Sequence, residues 1–266
     1  MKTYQTLKVE LSKNLVTISL NRPEVRNAFH PTMIAELKEF FDEIPNQKEI
    51  RAVVLRGEGK SFCAGADLEY MKSMAAYSMG QNMSDSEDLF EMFWAIRSCP
   101  IPLIGVFHGH VMGGAIGLAS LCDIGVAVDG VRFCFSEVRL GLSPAIISSF
   151  VVEKMQSAQA KRYMLTGEVF DEVAAHGSGL VDFVGTREQA EDFVSDMVEC
   201  ICGNGPEAVR ATKTLLRNTC DQSEWSIKRK LTTETIAERR VSPEGQEGLA
   251  SFFEKRLPSW KSEETQ

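Results

Sequence analysis

Two glycine-bearing segments and one glutamate carry the chemistry legible in this chain. Phe62-Cys63-Ala64-Gly65-Ala66-Asp67-Leu68 follows the strand-like run Ala52–Arg56, and His110-Val111-Met112-Gly113-Gly114-Ala115 follows Ile104–Phe107. Each passes from a β-type run through glycine into a helix-type pattern. Such a junction leaves unpaired N–H groups at a helix N-terminus, where the dipole favours negative charge. One amide from each, converging on a carbonyl oxygen, would form an oxyanion hole for an enolate or a tetrahedral intermediate. A lone glycine turn is more often a plain connection; a pair followed by an acidic residue is a stronger signal. That residue is Glu137, set among Phe133, Phe135, Val138 and Leu140. Apolar surroundings raise a carboxyl's pKa and suit it to proton transfer near neutral pH. From the residues alone it could equally be an exposed strand-end carboxylate or an ion pair with Arg139.

These segments resemble the crotonase (enoyl-CoA hydratase/isomerase) superfamily. Phe62–Leu68 is similar to its F-x-A-G-A-D-[LI] signature. Gly113-Gly114, Leu118 and Cys122-Asp123 are similar to its G-G-x-x-x-L-x-x-x-C-D block, and Ser136-Glu137 through Gly141 to P-E-x-x-x-G, with Ser136 for the proline. Leu20-Asn21-Arg22-Pro23 with Asn27-Ala28, Leu165–Glu168, Gly179-Leu180-Val181 and Phe253–Arg256 extend the likeness over nearly the whole chain.

The resemblance implies an α/β spiral of ββα units with a helical C-terminal trimerisation region, divided at about residues 1–200 and 201–266. It further implies that the Ala66 and Gly114 amides hold the thioester oxygen of an acyl-CoA and that Glu137 transfers the proton. For the CoA moiety it implies Arg26 and Ala28 near the nucleotide, with Ala64, Asp67 and Leu68 along adenine and pantetheine. Gly113 lets the backbone approach the ligand. Phe252 and Lys255 would reach in from a neighbouring subunit, although a basic pair such as Lys255-Arg256 is more commonly a solvated helix end. Coenzyme A enters as part of the substrate, and no separate cofactor or metal is expected. His108 and His110 match no catalytic position of the family and read as hydrogen-bonded packing residues.

One departure bears on the reaction. Typical hydratases of the family carry a second glutamate twenty positions before the first, where this chain has Gly117, and Pro144–Ser149 replaces a glycine-rich segment. Three readings follow. The lead is a hydratase of a branched 2-enoyl-CoA, because Ala64–Met71, Phe133–Ser148 and Arg240–Leu249 look closest to bacterial methylglutaconyl-CoA hydratases of leucine and isoprenoid degradation. An enoyl-CoA Δ3,Δ2-isomerase needs only one carboxylate and is the first alternative. A non-catalytic acyl-CoA binding protein is the third.

The elements that must position these groups read as follows. Leu7–Leu11 and Leu15–Leu20 flank Ser12-Lys13-Asn14 as a hairpin, and Pro31–Ile44 has helical periodicity. Strand 52–55, a mobile loop over Ser73–Ser86 and a helix marked by Leu89, Phe90, Phe93 and Ile96 come next. Strand 103–107, helix 114–121 and strands 124–128 and 132–135 then imply a mostly parallel sheet. After about residue 150 the pattern is helical throughout, at 157–165, 187–202, 206–217, 224–240 and 243–255, with Pro206 and Pro243 at N1 positions. The tail after Pro258 is expected to fray.

The chain has 266 residues and a formal net charge of −8. That balance argues against nucleic acid and anionic membranes as partners. Ser98–Cys122 carries no acidic or basic residue and is long enough to span a bilayer. Its prolines and glycines break it into strand, turn and helix, so it reads as buried core. Seven cysteines without a C-x-x-C pair, and a polar Met1–Glu10 in place of a secretory signal, fit reduced thiols in the cytoplasm. Cys200 and Cys202 have the wrong spacing for a zinc knuckle.

Overall fold

The computed structural model describes residues 2–261. The N-terminal hairpin forms as read: β1 (Leu7–Ser12) pairs antiparallel with β2 (Leu15–Leu20). Next, α1 (Pro31–Glu43) starts behind His30, whose side chain accepts the Thr32 amide, and buries Met33, Ile34, Leu37, Phe40 and Phe41. The strand β3 (Ala52–Gly57) leads into the first glycine segment, followed by α2 (Leu68–Met74) and α3 (Met79–Ser98). Then come β4 (Leu103–Phe107), β5 (His110–Met112), α4 (Gly114–Leu121), β6 (Ile124–Val128) and β7 (Arg132–Cys134). The charge-poor segment 98–122 is thus a buried strand, a short strand and a buried helix. Among the described residues no helix is long and apolar enough to cross a membrane.

Two expectations are corrected, and one helix is added that the sequence did not announce. The segment 73–86 is not a loop but the end of α2, a short link and the first turns of α3. Ser78 and Gln81 build a capping box there, and the buried residues of α3 begin only at Met92. With its first turns solvated, α3 had no apolar period to betray it. A further helix, α5 (Ala145–Lys154), begins directly after Pro144, and α6 (Ser157–Thr166) follows. Strands also continue past residue 150, as β8 (Phe170–Asp171) and, after α7 (Glu172–Gly177), β9 (Phe183–Gly185). Strands of two and three residues are too short to show alternation.

The main sheet runs β1-β2-β3-β4-β6-β9, parallel except for the first pair. A second sheet, β5-β7-β8, pairs β5 parallel to β7 and carries the second glycine segment. The helix α8 (Arg187–Cys202) closes one face of the main sheet, where Ala190 and Val194 meet Val54, Ile104, Val126 and Val128. The remaining chain is helical: α9 (Pro206–Cys220), α10 (Trp225–Val241) and α11 (Pro243–Glu254), with proline in the first turn of α9 and α11. Three cations of α9 fasten it to the core. Arg210 reaches the carbonyls of Pro45, Gln47 and Ile50, Lys213 that of Ile101, and Arg217 those of Arg97 and Ser98. The tail does not fray at once: the Ser259 amide donates to Glu247 at 2.8 Å, and the rest of that expectation lies outside the described residues.

Candidate active site

The first glycine segment is clamped along both edges. On one side the Phe62 and Cys63 amides donate to the carbonyls of His108 and His110, at 2.9 and 3.1 Å. On the other, the Ala64 amide donates to Arg26, Phe29 donates to Gly65 and Asp67 donates back to Phe29, at 2.9, 2.7 and 2.9 Å. Phe29 therefore pairs with Ala66 as a parallel bridge. In such a bridge the backbone groups of the paired residue itself face the opposite way. Ala66 is exposed, and among the described residues its amide donates to no group of the chain. Gly65 makes the turn possible. Its φ is +90°, and a Cβ there would lie 3.0 Å from the Met112 carbonyl oxygen.

That contact brings in the second segment. Gly113 caps α4 with φ 54° and ψ −126°, a backbone conformation open to glycine. Its amide donates to Cys134 at 2.8 Å. Gly114, the first residue of α4, has no intrahelical acceptor for its N–H, and among the described residues no other acceptor takes it. The Ala66 and Gly114 amides therefore flank one junction.

Glu137 stands beside it. It opens a single 3-10 turn, Glu137–Leu140, after β7. The position a Cβ on Gly113 would take is 3.3 Å from Glu137 Oε1. Its Oε2 is buried with no hydrogen-bond partner, and burial pushes the carboxyl above its ordinary pKa. Arg139 is exposed, and among the described residues Glu137 makes no ion pair. An unpaired, desolvated carboxyl is what proton transfer to and from carbon requires.

Gly117 lies one turn along α4, on the flank that also carries Gly114. A Cβ there would meet Ile147 Cγ2 at 2.6 Å and Phe93 Cε1 at 2.8 Å, while a Cβ on Gly114 would lie 3.1 Å from Phe29 Cε2. The space that a longer side chain at 117 would need is filled from α3 and α5. These rings form part of an aromatic series with centroid spacings of 6.4 Å for Phe29–Phe93, 5.6 Å for Phe93–Phe150, 5.7 Å for Phe150–Phe90 and 6.3 Å for Phe90–Trp94. Sequence reading found the glycine but not its wall, since Phe93 and Ile147 lie far from it along the chain.

The residues matched to CoA binding divide. Arg26, Ala66 and Leu68 are exposed, Ala64 is half-buried and Ala28 is buried. Asp67 is 7% exposed, with one oxygen on Arg22 at 2.9 Å and the other accepting the Glu69 and Tyr70 amides. Burial works to raise its pKa, but the Glu69 amide and Arg22 guanidinium together hold it below the ordinary value. Its side chain fixes the loop and caps α2. Phe252 and Lys255, at the end of α11, are both exposed, and Lys255 is left-handed at φ 55°. The packing expectation holds for one of the two histidines: His108 is buried with Nε2 3.0 Å from the Gly59 carbonyl, whereas His110 is exposed, its Nδ1 3.2 Å from Ser61 Oγ. Among the described residues no cluster of metal-ligating side chains occurs. A cavity of about 950 Å³ between α9 and the ends of α4, α5 and β6 touches neither Glu137 nor either amide.

Comparison with known proteins places the whole chain beside enoyl-CoA hydratases. The enoyl-CoA hydratase/isomerase family model matches residues 10–263. A Thermus thermophilus protein named as an enoyl-CoA hydratase is 30% identical over 247 residues, covering 92% of this chain and 96% of its own. The 2,3-dehydroadipyl-CoA hydratase of Escherichia coli is 27% identical over 258 residues, covering 95% and 97%. The crystal structure of an enoyl-CoA hydratase from Shewanella pealeana superposes with a TM-score of 0.92 at 34% identity, covering 96% of each chain.

Proposed function

The chain belongs to the enoyl-CoA hydratase/isomerase family, and from that premise we propose that it hydrates a 2-enoyl-CoA with a single carboxyl, Glu137. The observation that carries this reading is the buried, unpartnered Oε2 of Glu137 beside the Gly113–Gly114 junction. The thioester oxygen sits between the Ala66 and Gly114 amides, which stabilise the negative charge that builds there as water adds. Losing one such donor typically costs about 2.7–4 kcal/mol of transition-state stabilisation. Glu137, as carboxylate, takes a proton from water while the water oxygen bonds to Cβ. The enolate then receives a proton at Cα from the same carboxyl, so one water is added and Glu137 is restored.

The substrate we favour is methylglutaconyl-CoA or a related branched, carboxylated enoyl-CoA of leucine or isoprenoid degradation. Support comes from the likeness of residues 64–71, 133–148 and 240–249 to that subgroup, and from a relative named for a dicarboxylic acyl-CoA. The wall at Gly117 offers no polar group from the protein, so the distal carboxylate of the substrate would help hold the water. Arg26, Ala28, Ala64, Asp67, Leu68 and Gly113 would shape the CoA site, with no further cofactor. Phe252 and Lys255 would complete it from a neighbour in a homotrimer or a dimer of trimers. Seven free cysteines, four of them buried, suit a reducing cytoplasm.

The packing of Phe93 and Ile147 on Gly117 also favours a second reading, a Δ3,Δ2-enoyl-CoA isomerase, in which Glu137 alone moves a proton between carbons and no water is needed. A non-catalytic acyl-CoA binder would have no use for an unpaired buried carboxyl. Incubation of the purified protein with crotonyl-CoA, 3-methylglutaconyl-CoA and a 3-enoyl-CoA separates the three. Hydroxyacyl-CoA from methylglutaconyl-CoA supports the proposal, conversion of the 3-enoyl-CoA alone makes the chain an isomerase, and no turnover of any overturns both.

A further inference from the structure

Arg26 and Asn27 are consecutive non-glycine residues in left-handed backbone, at φ 54° and 55°. L-residues adopt that conformation at a cost in free energy and keep it only where their surroundings over-determine it. Here the determining group is the Asn27 carboxamide, which is fully buried. Its Oδ1 accepts the Arg22 amide at 2.8 Å. Its Nδ2 donates to the carbonyls of Glu58, Ser61 and Phe62, at 2.8, 2.9 and 3.1 Å. One side chain therefore ties the turn around residues 22–27 to the loop after β3. Space there is tight, since a Cβ on Gly57 would lie 2.5 Å from the Phe62 carbonyl oxygen and 3.0 Å from Asn27 Nδ2.

Immediately beyond these ties the two segments run side by side through the Arg26, Phe29, Gly65 and Asp67 backbone bonds. The Ala66 amide projects from the far edge of that short ladder. We infer that Asn27 is a positioning residue for the oxyanion hole: its carboxamide sets the register of residues 26–29 against 62–67 and so aims the Ala66 N–H. The inference rests on Ala66 and Gly114 being the thioester donors, and holds for hydration and isomerisation alike. Only a carboxamide suits the place. It supplies an acceptor for one amide and donors for carbonyls at one buried point, where a carboxylate would turn charge and lone pairs toward those carbonyls.

Asn27→Gly is the informative variant, because glycine keeps the left-handed turn without strain and removes only the ties. The readouts are kcat and KM, together with the infrared carbonyl band of bound butyryl-CoA labelled with 13C at the thioester carbon, which cannot be hydrated. In the unmodified protein that band should move to lower frequency on binding. In Asn27→Gly most of the shift should be lost and kcat should fall roughly 10–100-fold, with KM within about threefold, as for a misplaced catalytic group. A folded variant with the full carbonyl shift and kcat within about twofold would overturn the inference, since loss of stability alone moves neither. If Asn27→Gly does not fold, Asn27→Asp, which keeps the acceptor and tolerates left-handed backbone, is held to the same two criteria. A missing shift in the unmodified protein would overturn the donor assignment itself, and the role of Asn27 with it.

Discussion

Glu137 is set apart by what is absent around it. No cation faces it among the described residues, one oxygen is unbonded, and burial holds its pKa above the ordinary carboxyl value. Glu137→Gln should still bind acyl-CoA while turnover falls by roughly 10²–10⁴-fold or more, the usual worth of a positioned acid–base group; activity within about tenfold would show that another group moves the proton. The same burial gives a pH signature. A carboxyl whose folded pKa lies above its unfolded one contributes stability below the unfolded value, near pH 4.3, and loses it as pH rises through the folded value. Glu137→Gln should therefore melt above the unmodified protein at neutral pH, with the difference closing toward about pH 4. Gly117→Glu meets the opposite situation, a space already filled by Phe93 and Ile147. Overpacking and a buried charge should lower its stability by at least about 1–3 kcal/mol, whereas Phe93→Ala combined with it should fold better and gain turnover of crotonyl-CoA relative to methylglutaconyl-CoA. A single variant as stable as the unmodified chain would show that the wall yields. The glycines were legible from residue type and neighbours, whereas Glu137 was singled out only by the family resemblance. The wall was not, because it joins α3, α4 and α5 only in three dimensions.

Among the elements, the strands and helices that bury a continuous apolar face were readable, and those that do not were missed. β4, buried at every position, and α1, with its apolar stripe, stood out; the first turns of α3 did not. Its start was nonetheless written in the Ser78-x-x-Gln81 box. Ser78→Ala should fray the first turn at a cost of about 1 kcal/mol, seen as faster amide exchange at residues 80–82 with little change in the melting of the whole chain. Unaltered exchange would mean that the helix is held by its neighbours, such as the Tyr70 hydroxyl on Asp85. The helix α9 was read from its periodicity, but the targets of its cations, carbonyls at the ends of α3 and of the turn after α1, were not.

For the whole molecule, composition and motif order anticipated a mostly parallel sheet followed by helices. The antiparallel edge pair β1–β2 was also foreseen, while the separate β5-β7-β8 sheet was not, because which strands pair is decided by crossovers that leave no local mark. The C-terminal helices leave Trp225, Ile236, Val241, Leu249, Phe252 and Phe253 exposed on the single chain, from 47% to 79%. Apolar surface of this kind normally marks an interface. Deleting residues after Ser242 should give dissociated or aggregated protein in sedimentation analysis, with acyl-CoA binding weakened. A truncated chain that stays trimeric and binds acyl-CoA as before would show that α11 neither builds the interface nor completes the site.

The aromatic series that begins at Phe29 ends in a natural optical probe. Trp94 is 44% exposed, stacked on Phe90 with the Arg97 guanidinium 5.4 Å from its ring, so its emission responds both to solvent and to a nearby charge. The chain holds three tryptophans, and the other two, Trp225 and Trp260, lie beyond α9 at the C-terminal end. With Trp225→Phe and Trp260→Phe, all remaining tryptophan light comes from one indole coupled through Phe90, Phe150 and Phe93 to the Phe29 ring beside Gly114. An acyl group pressing on that ring should then change the colour or intensity of the protein's own fluorescence, giving a label-free titration of the site.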